Sequence, residues 1–180
     1  MTLLMRTERL SIAEAVEDDV DALLAVALSN TDFTGHHEGS AGEPGHFDRH
    51  MLERDLAVAW MDPARHPLVL RDITAEGRVV GWAEVLDEHP NDGVPWIGLL
   101  EVHQEEQRKG YGSEALGALL EWARSSGAPA LRLGVDEGND DAMAFWTRSG
   151  FEVVDHRARS GPTGKVRVEV MEVRLGSNDL

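Results

Sequence analysis

At 180 residues the chain is long enough for one domain with a substantial core, spanning 1–180, and no composition shift divides it. Asp and Glu number 33 against 17 Lys and Arg, a formal charge of −16, so the surface repels nucleic-acid phosphates and anionic membranes and favours cationic ligands. The lack of cysteine excludes disulfides, a Cys-based zinc site and an acyl-cysteine intermediate. No apolar run is long enough to cross a bilayer and the amino terminus lacks a secretory layout, which makes the cytoplasm the default location.

In chain order, residues 3–15 read as a first strand. Residues 16–28 read as a helix opened by Glu17-Asp18-Asp19, with Val20, Leu23, Leu24, Ala27 and Leu28 on one face. A polar, glycine-rich loop over 30–45 precedes a helix over 47–61. This region holds His36, His37, His46 and His50; the last two are four apart, but no zincin pattern surrounds them and no metal site is expected. Strands follow at 67–74 and 78–86, joined at Glu76-Gly77, and a turn at 89–93 leads into a strand at 94–102. Of Phe33, Trp60, Trp82 and Trp96, most suit core packing better than a pocket wall.

The most telling segment comes next. Trp96 to Val102 reads as a buried strand, and Ala115, Leu116, Leu119, Leu120 and Ala123 recur at helical spacing, so Gln107-Arg108-Lys109-Gly110-Tyr111-Gly112-Ser113 lies at a strand-to-helix junction. The first N–H groups of a helix have no partner inside it and carry partial positive charge, which an anion satisfies. Arg108 and Lys109 add cations to the same turn. Lysine precedes the glycine, so this is not a Walker loop, and the order is not the G-x-G-x-x-G of dinucleotide folds.

Gln107-x-x-Gly110-x-Gly112 resembles the coenzyme A loop of the GCN5-related N-acetyltransferase (GNAT) superfamily. A second pattern further on is similar to the same family: a strand over 131–135, then Asn139, Ala142, Trp146, Gly150 and Phe151 in matching places around a short helix over 141–149. Strands over 151–159 and 166–175 close the chain, the latter alternating at Val166, Val168 and Val170. Thr7-Glu8-Arg9-Leu10 also resembles the ribosomal-protein and antibiotic acetyltransferase branch, on four residues only.

The resemblance implies an α/β fold with a central twisted mixed sheet, helices on both faces and a V-shaped split between two strands that admits acetyl-CoA. It implies that the backbone of Leu100, Glu101 and Val102 pairs with the pantetheine arm and that a backbone N–H near Glu101 or Val102 steadies the oxyanion. The amides of Gln107, Arg108, Lys109, Gly110, Tyr111, Gly112 and Ser113 would hold the pyrophosphate. Asn139 would touch the arm from the other strand or serve only as a cap, and Trp146 would form an apolar wall or core. A homodimer is compatible with the family pattern.

Direct acyl transfer to an amine needs a base for the ammonium and a proton for the departing thiolate. Glu101 and Glu84, carboxylates inside apolar strands, are the candidate bases, with His103 a third; each could instead face solvent. Many relatives carry a tyrosine as the acid where this chain has Phe145-Trp146, and an indole is no general acid. Tyr111, its one tyrosine, lies in the phosphate turn. The leading reading is an acetyl-CoA-dependent N-acetyltransferase acting on a primary amine of a small cationic molecule or of a protein. The runner-up is a coenzyme A-binding regulatory or interaction module with little catalysis.

Overall fold

The computed structural model describes residues 3–30, 47–161 and 164–176. The strands are β1 (Leu4–Arg6), β2 (Leu10–Glu14), β3 (Arg65–Asp72), β4 (Arg78–Leu86), β5 (Trp96–Val102), β6 (Ala130–Asp136), β7 (Glu152–Gly161) and β8 (Gly164–Arg174). The helices are α1 (Val20–Ser29), α2 (Arg49–Met61), α3 (Tyr111–Ser125) and α4 (Asp140–Arg148). The strands form one eight-stranded sheet in the order β1-β2-β3-β4-β5-β6-β8-β7.

The helices cover both faces because each turns an apolar stripe inward. On one face Ala115, Leu119 and Ala123 of α3 and Trp146 of α4 pack with Leu10, Leu70, Leu133 and Phe151. On the other, Leu23 and Val26 of α1 and Leu52 and Leu56 of α2 pack on Val69 and Trp82. Each fully buried leucine contributes about 1.5–3 kcal/mol, so the two layers hold the sheet rigid between them. Asp48 caps α2 by accepting from Met51 N at 2.9 Å. Gly150, at φ +90°, ends α4 in the left-handed conformation its position suggests.

Two expected elements are corrected. Residues 3–15 are not a single strand but the hairpin β1–β2, with Leu4 opposite Ala13. Thr7 breaks the run: its N–H donates to the Leu10 carbonyl at 2.9 Å and its hydroxyl accepts from Leu10 N at 2.8 Å. The helix expected from residue 16 begins instead with a 3-10 turn over Glu17–Asp19.

All neighbouring strands run antiparallel except β5 and β6. Those two pair only at Trp96–Arg132 and Ile97–Leu133, then separate. The separation coincides with a bulge: Glu84 faces Leu99 and Val85 faces Ile97, leaving Gly98 as the extra residue on β5. The next residues along the diverging strands are Gly98 and Gly134, and the space a side chain would take there is filled by Glu84 at 3.1 Å over Gly98 and Val168 at 2.8 Å over Gly134.

An ion network pins the closed end. Asp92, in the turn before β5, has a side chain only 2% exposed and meets Arg132 of β6 at 2.8 Å, His89 at 2.6 Å and Arg157 of β7. The Arg157 hydrogen bonds are the largest influence holding its carboxyl down at about 2. The folded value lies below an unfolded value of about 3.9, so the stabilisation is full above that range and fades as pH falls toward 2. Asp92→Asn should lower unfolding free energy at pH 7 by about 3 kcal/mol. Urea melts should show the gap from wild type narrowing on acidification; a gap independent of pH would contradict this role.

Candidate active site

β5 ends beside a 3-10 turn over Gln104–Glu106, and the chain then reverses into α3. The reversal uses two left-handed residues, Arg108 at φ +60° and Gly110 at φ +90°. A non-glycine residue there is strained, a state that persists only where surrounding contacts impose it. Gly110 is the N-cap of α3 and offers no side-chain cap. Among the described residues, nothing accepts from the N–H groups of residues 108–113. They form a row of unsatisfied donors at the positive end of a 15-residue helix, suited to an anion.

The turn is braced from behind. Glu114, in the first turn of α3, accepts from Thr7 Oγ1 at 2.5 Å, Arg9 N at 2.8 Å and Arg9 Nε at 2.7 Å. Burial works to raise the Glu114 carboxyl, but these hydrogen bonds outweigh it and hold the group below its usual range. Arg9 Nη1 also donates to the Lys109 carbonyl at 3.1 Å, and its guanidinium lies 4.5 Å over the Tyr111 ring. The Tyr111 hydroxyl donates to Asp72 at 2.5 Å. With its side chain buried, Tyr111 has only its backbone to give a ligand. No local pattern marks Glu114 for this task, because Thr7 lies 107 residues away in the chain.

The charge of the turn differs from its sequence. Lys109 Nζ is taken up by Glu106 at 3.0 Å, and Arg78 meets the same buried carboxylate at 2.8 Å. Among the described residues Arg108 makes no ion pair and remains exposed to a ligand. Ser113 is exposed at the start of the helix. Gly112 faces the split: a Cβ there would sit 3.7 Å from the Phe145 ring and 3.8 Å from Val102. Phe145, not Trp146, therefore stands opposite the turn. Trp146 lies in the core, its ring 4.8 Å from Phe145 and 5.3 Å from Phe151.

Along β5 the backbone direction can be assigned. His103 N donates to Val80 O at 2.9 Å, so alternation turns the Glu101 backbone toward β4 and those of Leu100 and Val102 toward the split. Among the described residues no strand lies beside β5 there. This removes Glu101 from the expected backbone donors and leaves the N–H groups of Leu100 and Val102. The Val102 carbonyl is capped by Asn30 Nδ2 at 3.1 Å and Gln107 Nε2 at 3.2 Å. Asn139 caps α4 by accepting from Ala142 N at 3.1 Å, which commits its oxygen but not its amide nitrogen.

The two candidate carboxylates share the sheet face covered by α1 and α2, because Glu101 pairs with Trp82 and Glu84 follows two residues later. Their environments differ. Glu101 accepts from Trp82 Nε1 at 2.8 Å; burial pushes its carboxyl above the usual value, and hydrogen bonds from Trp82 and Asn30 only partly oppose this. Glu84 is bound by Arg65 at 2.7 Å. His103 Nδ1 accepts from Glu105 N at 3.3 Å, beyond the end of the strand. Among the described residues no His, Asp and Glu group could hold a metal; His36, His37, His46 and Phe33 lie outside the described residues.

Comparison with known proteins bears on the family and the fold. The family model described as the acetyltransferase (GNAT) family matches residues 25–151. A mycothiol acetyltransferase of Propionibacterium freudenreichii is 32% identical over 84% of this chain and 46% of its own length. The chain thus spans about half the length of that relative. An L-methionine sulfoximine/L-methionine sulfone acetyltransferase of Pseudomonas aeruginosa is 33% identical over 55% of this chain and 61% of its own. Among solved structures, a GNAT-family acetyltransferase from Bacillus anthracis superposes with TM-score 0.76 at 15% identity, covering 96% of this chain and 99% of its own. Spermidine N-acetyltransferase from Vibrio cholerae, in complex with CoA and spermine, gives TM-score 0.72 at 17% identity, covering 94% and 97%. At such identities the likeness is one of fold.

Proposed function

Because the chain belongs to the acetyltransferase (GNAT) family, we propose that it is a single-domain enzyme that transfers an acetyl group from acetyl-CoA directly to a primary amine of a small cationic molecule. The observation that carries this is the unpaired edge of β5 at Leu100 and Val102, running into the amide-lined turn of residues 108–113. In this reading the turn and Arg108 bind the pyrophosphate, and the pantetheine arm pairs with Leu100 and Val102 as an added strand. Phe145 and Gly112 flank the arm, and the Asn139 amide nitrogen reaches it from α4. The thioester comes to rest in the split beside β5, with a β5 N–H facing its developing oxyanion.

The acceptor approaches from the face of Glu101. A neutral amine nitrogen attacks the thioester carbon, the carbon–sulfur bond breaks as the tetrahedral intermediate collapses, and coenzyme A departs as a thiolate that takes up, through water, the proton the nitrogen gives up. Glu101 takes the ammonium proton, directly or through water. Burial raises its proton affinity above that of a free glutamate, which suits a base; Glu84, held by Arg65, adds negative charge on the same face. The −16 charge supports a cationic acceptor, as does the spermine bound by the Vibrio protein, and the small molecules for which the relatives are named support a small acceptor.

One observation favours the second reading, a coenzyme A-binding module with weak catalysis: Trp146 leaves no hydroxyl in the position where relatives carry an acid. Thiol release from acetyl-CoA over a panel of polyamines, amino acids, amino sugars and short peptides separates these. Saturable release with a small amine is the expected result. Release with peptides alone would overturn the acceptor class, and none with any amine would favour the binding module.

A further inference from the structure

Two residues at the end of α1 reach across to the cofactor turn. Ser29 Oγ accepts from Gln104 N at 3.0 Å, and Asn30 Oδ1 accepts from Gln107 Nε2 at 2.7 Å. Asn30 is 6% exposed, and its Nδ2 donates to Val26 O and to Val102 O, each at 3.1 Å. Gln107 Nε2 also donates to Val102 O, at 3.2 Å. These carbonyls only accept, so nitrogen must face them and the direction of both side-chain amides is fixed.

Gln107 is thus anchored by its side chain, and its own N–H donates to Gln104 O at 3.3 Å. Lys109 is anchored as well, its carbonyl by Arg9 at 3.1 Å and its ammonium by Glu106 at 3.0 Å. Between them Arg108, which makes no side-chain hydrogen bond or ion pair among the described residues, sits at φ +60°. One residue must carry the chain between two fixed points, and the strain falls on it. Left-handed residues in such a turn bring successive N–H groups round a single anion. Building on the acetyl-transfer reading, we propose that Asn30 and Gln107 are positioning residues: their side-chain amides hold Arg108 left-handed and keep the N–H row shaped for the pyrophosphate before the cofactor arrives.

The test is a double-mutant cycle of Gln107→Ala and Arg108→Gly, read by calorimetric titration with coenzyme A and, in the free protein, by the backbone chemical shifts of residue 108. Gln107→Ala should release Arg108 from the left-handed region and weaken coenzyme A by about tenfold, because the strained shape must then be imposed on binding. Arg108→Gly loses a cation and binds more weakly from the start, but glycine takes a positive φ freely. In that background Gln107→Ala should cost less than about threefold. Asn30→Ala, whose side chain lies behind Gln107, should follow the same pattern; if it fails to fold, Gln107→Ala, on an exposed turn residue, carries the test. Equal losses in both backgrounds would make Gln107 a direct ligand contact and overturn the proposal, as would an Arg108 that stays left-handed in Gln107→Ala. Shifts that respond as expected in a protein with no affinity for coenzyme A would overturn the acetyl-transfer reading alone.

Discussion

Gly110→Glu should weaken acetyl-CoA binding by about 10²–10³-fold, the equivalent of the several kcal/mol that like charges in contact cost. Gly110 immediately precedes α3, and the space its Cβ would enter is bounded by Arg9 Nη2 at 3.2 Å. A carboxylate here competes with a phosphate for the same N–H row and the same helix terminus. It also has Arg9 within reach, which would pull the Arg9 side chain off Glu114 and the Lys109 carbonyl. The φ of +90° adds backbone strain to any substitution, so Gly110→Ala is the necessary control. Alanine carries the strain without the charge and should lose stability of about 1 kcal/mol while retaining most of its affinity. Calorimetric titration of both variants decides the matter, and wild-type affinity in Gly110→Glu would remove the turn from the cofactor site.

Glu101→Gln should lower kcat by about 10²–10⁴-fold, the usual contribution of a general base, with acetyl-CoA affinity unchanged. Glutamine keeps an oxygen for Trp82 Nε1 but accepts no proton at neutral pH. In wild type the rate should rise with pH through a limb lying above the usual glutamate value of about 4.3, since burial raises the carboxyl and the base works only when ionised. That limb should vanish in the variant.

Stability should move the other way. The folded carboxyl has the higher proton affinity, so Glu101 favours folding below its unfolded value and loses that contribution as pH rises through its folded value. Above the folded value the burden of a buried charge is relieved in Glu101→Gln, which there should be no less stable than wild type. Loss of rate together with loss of stability would make Glu101 structural. Glu84→Gln, which removes the partner of Arg65, should cost stability and leave most of kcat.

What could be read in the sequence was local. The phosphate turn is legible at Gln107 to Ser113 because glycine punctuation, strand and helix adjoin, and Gly150 is legible because a helix end has a fixed chemistry. Thr7 ends β1 through its hydrogen bonds to Leu10, yet threonine sits as readily inside a strand, so the hairpin was hidden. Glu84 and Glu101 have equivalent settings along their strands; Arg65 and Trp82, brought in by pairing and packing, separate them. Lys109 counts as a free cation until Glu106 folds beneath it. Asn30 reads as a loop residue, and only the fold carries it to the end of β5 and to Gln107. Phe145 and Trp146 are adjacent aromatics on one short helix, and which of them faces the split depends on how α4 docks.

The most direct measurement is a calorimetric titration of the purified chain with acetyl-CoA, with coenzyme A and ATP as controls, followed in the same samples by thiol release on adding amines. Saturable binding of acetyl-CoA and of coenzyme A, weaker binding of ATP, and one thiol released per amine acetylated is the predicted result. No binding of acetyl-CoA would contradict it, because the turn at Gly110, the open edge of β5 and the carboxyl of Glu101 would then have no common ligand.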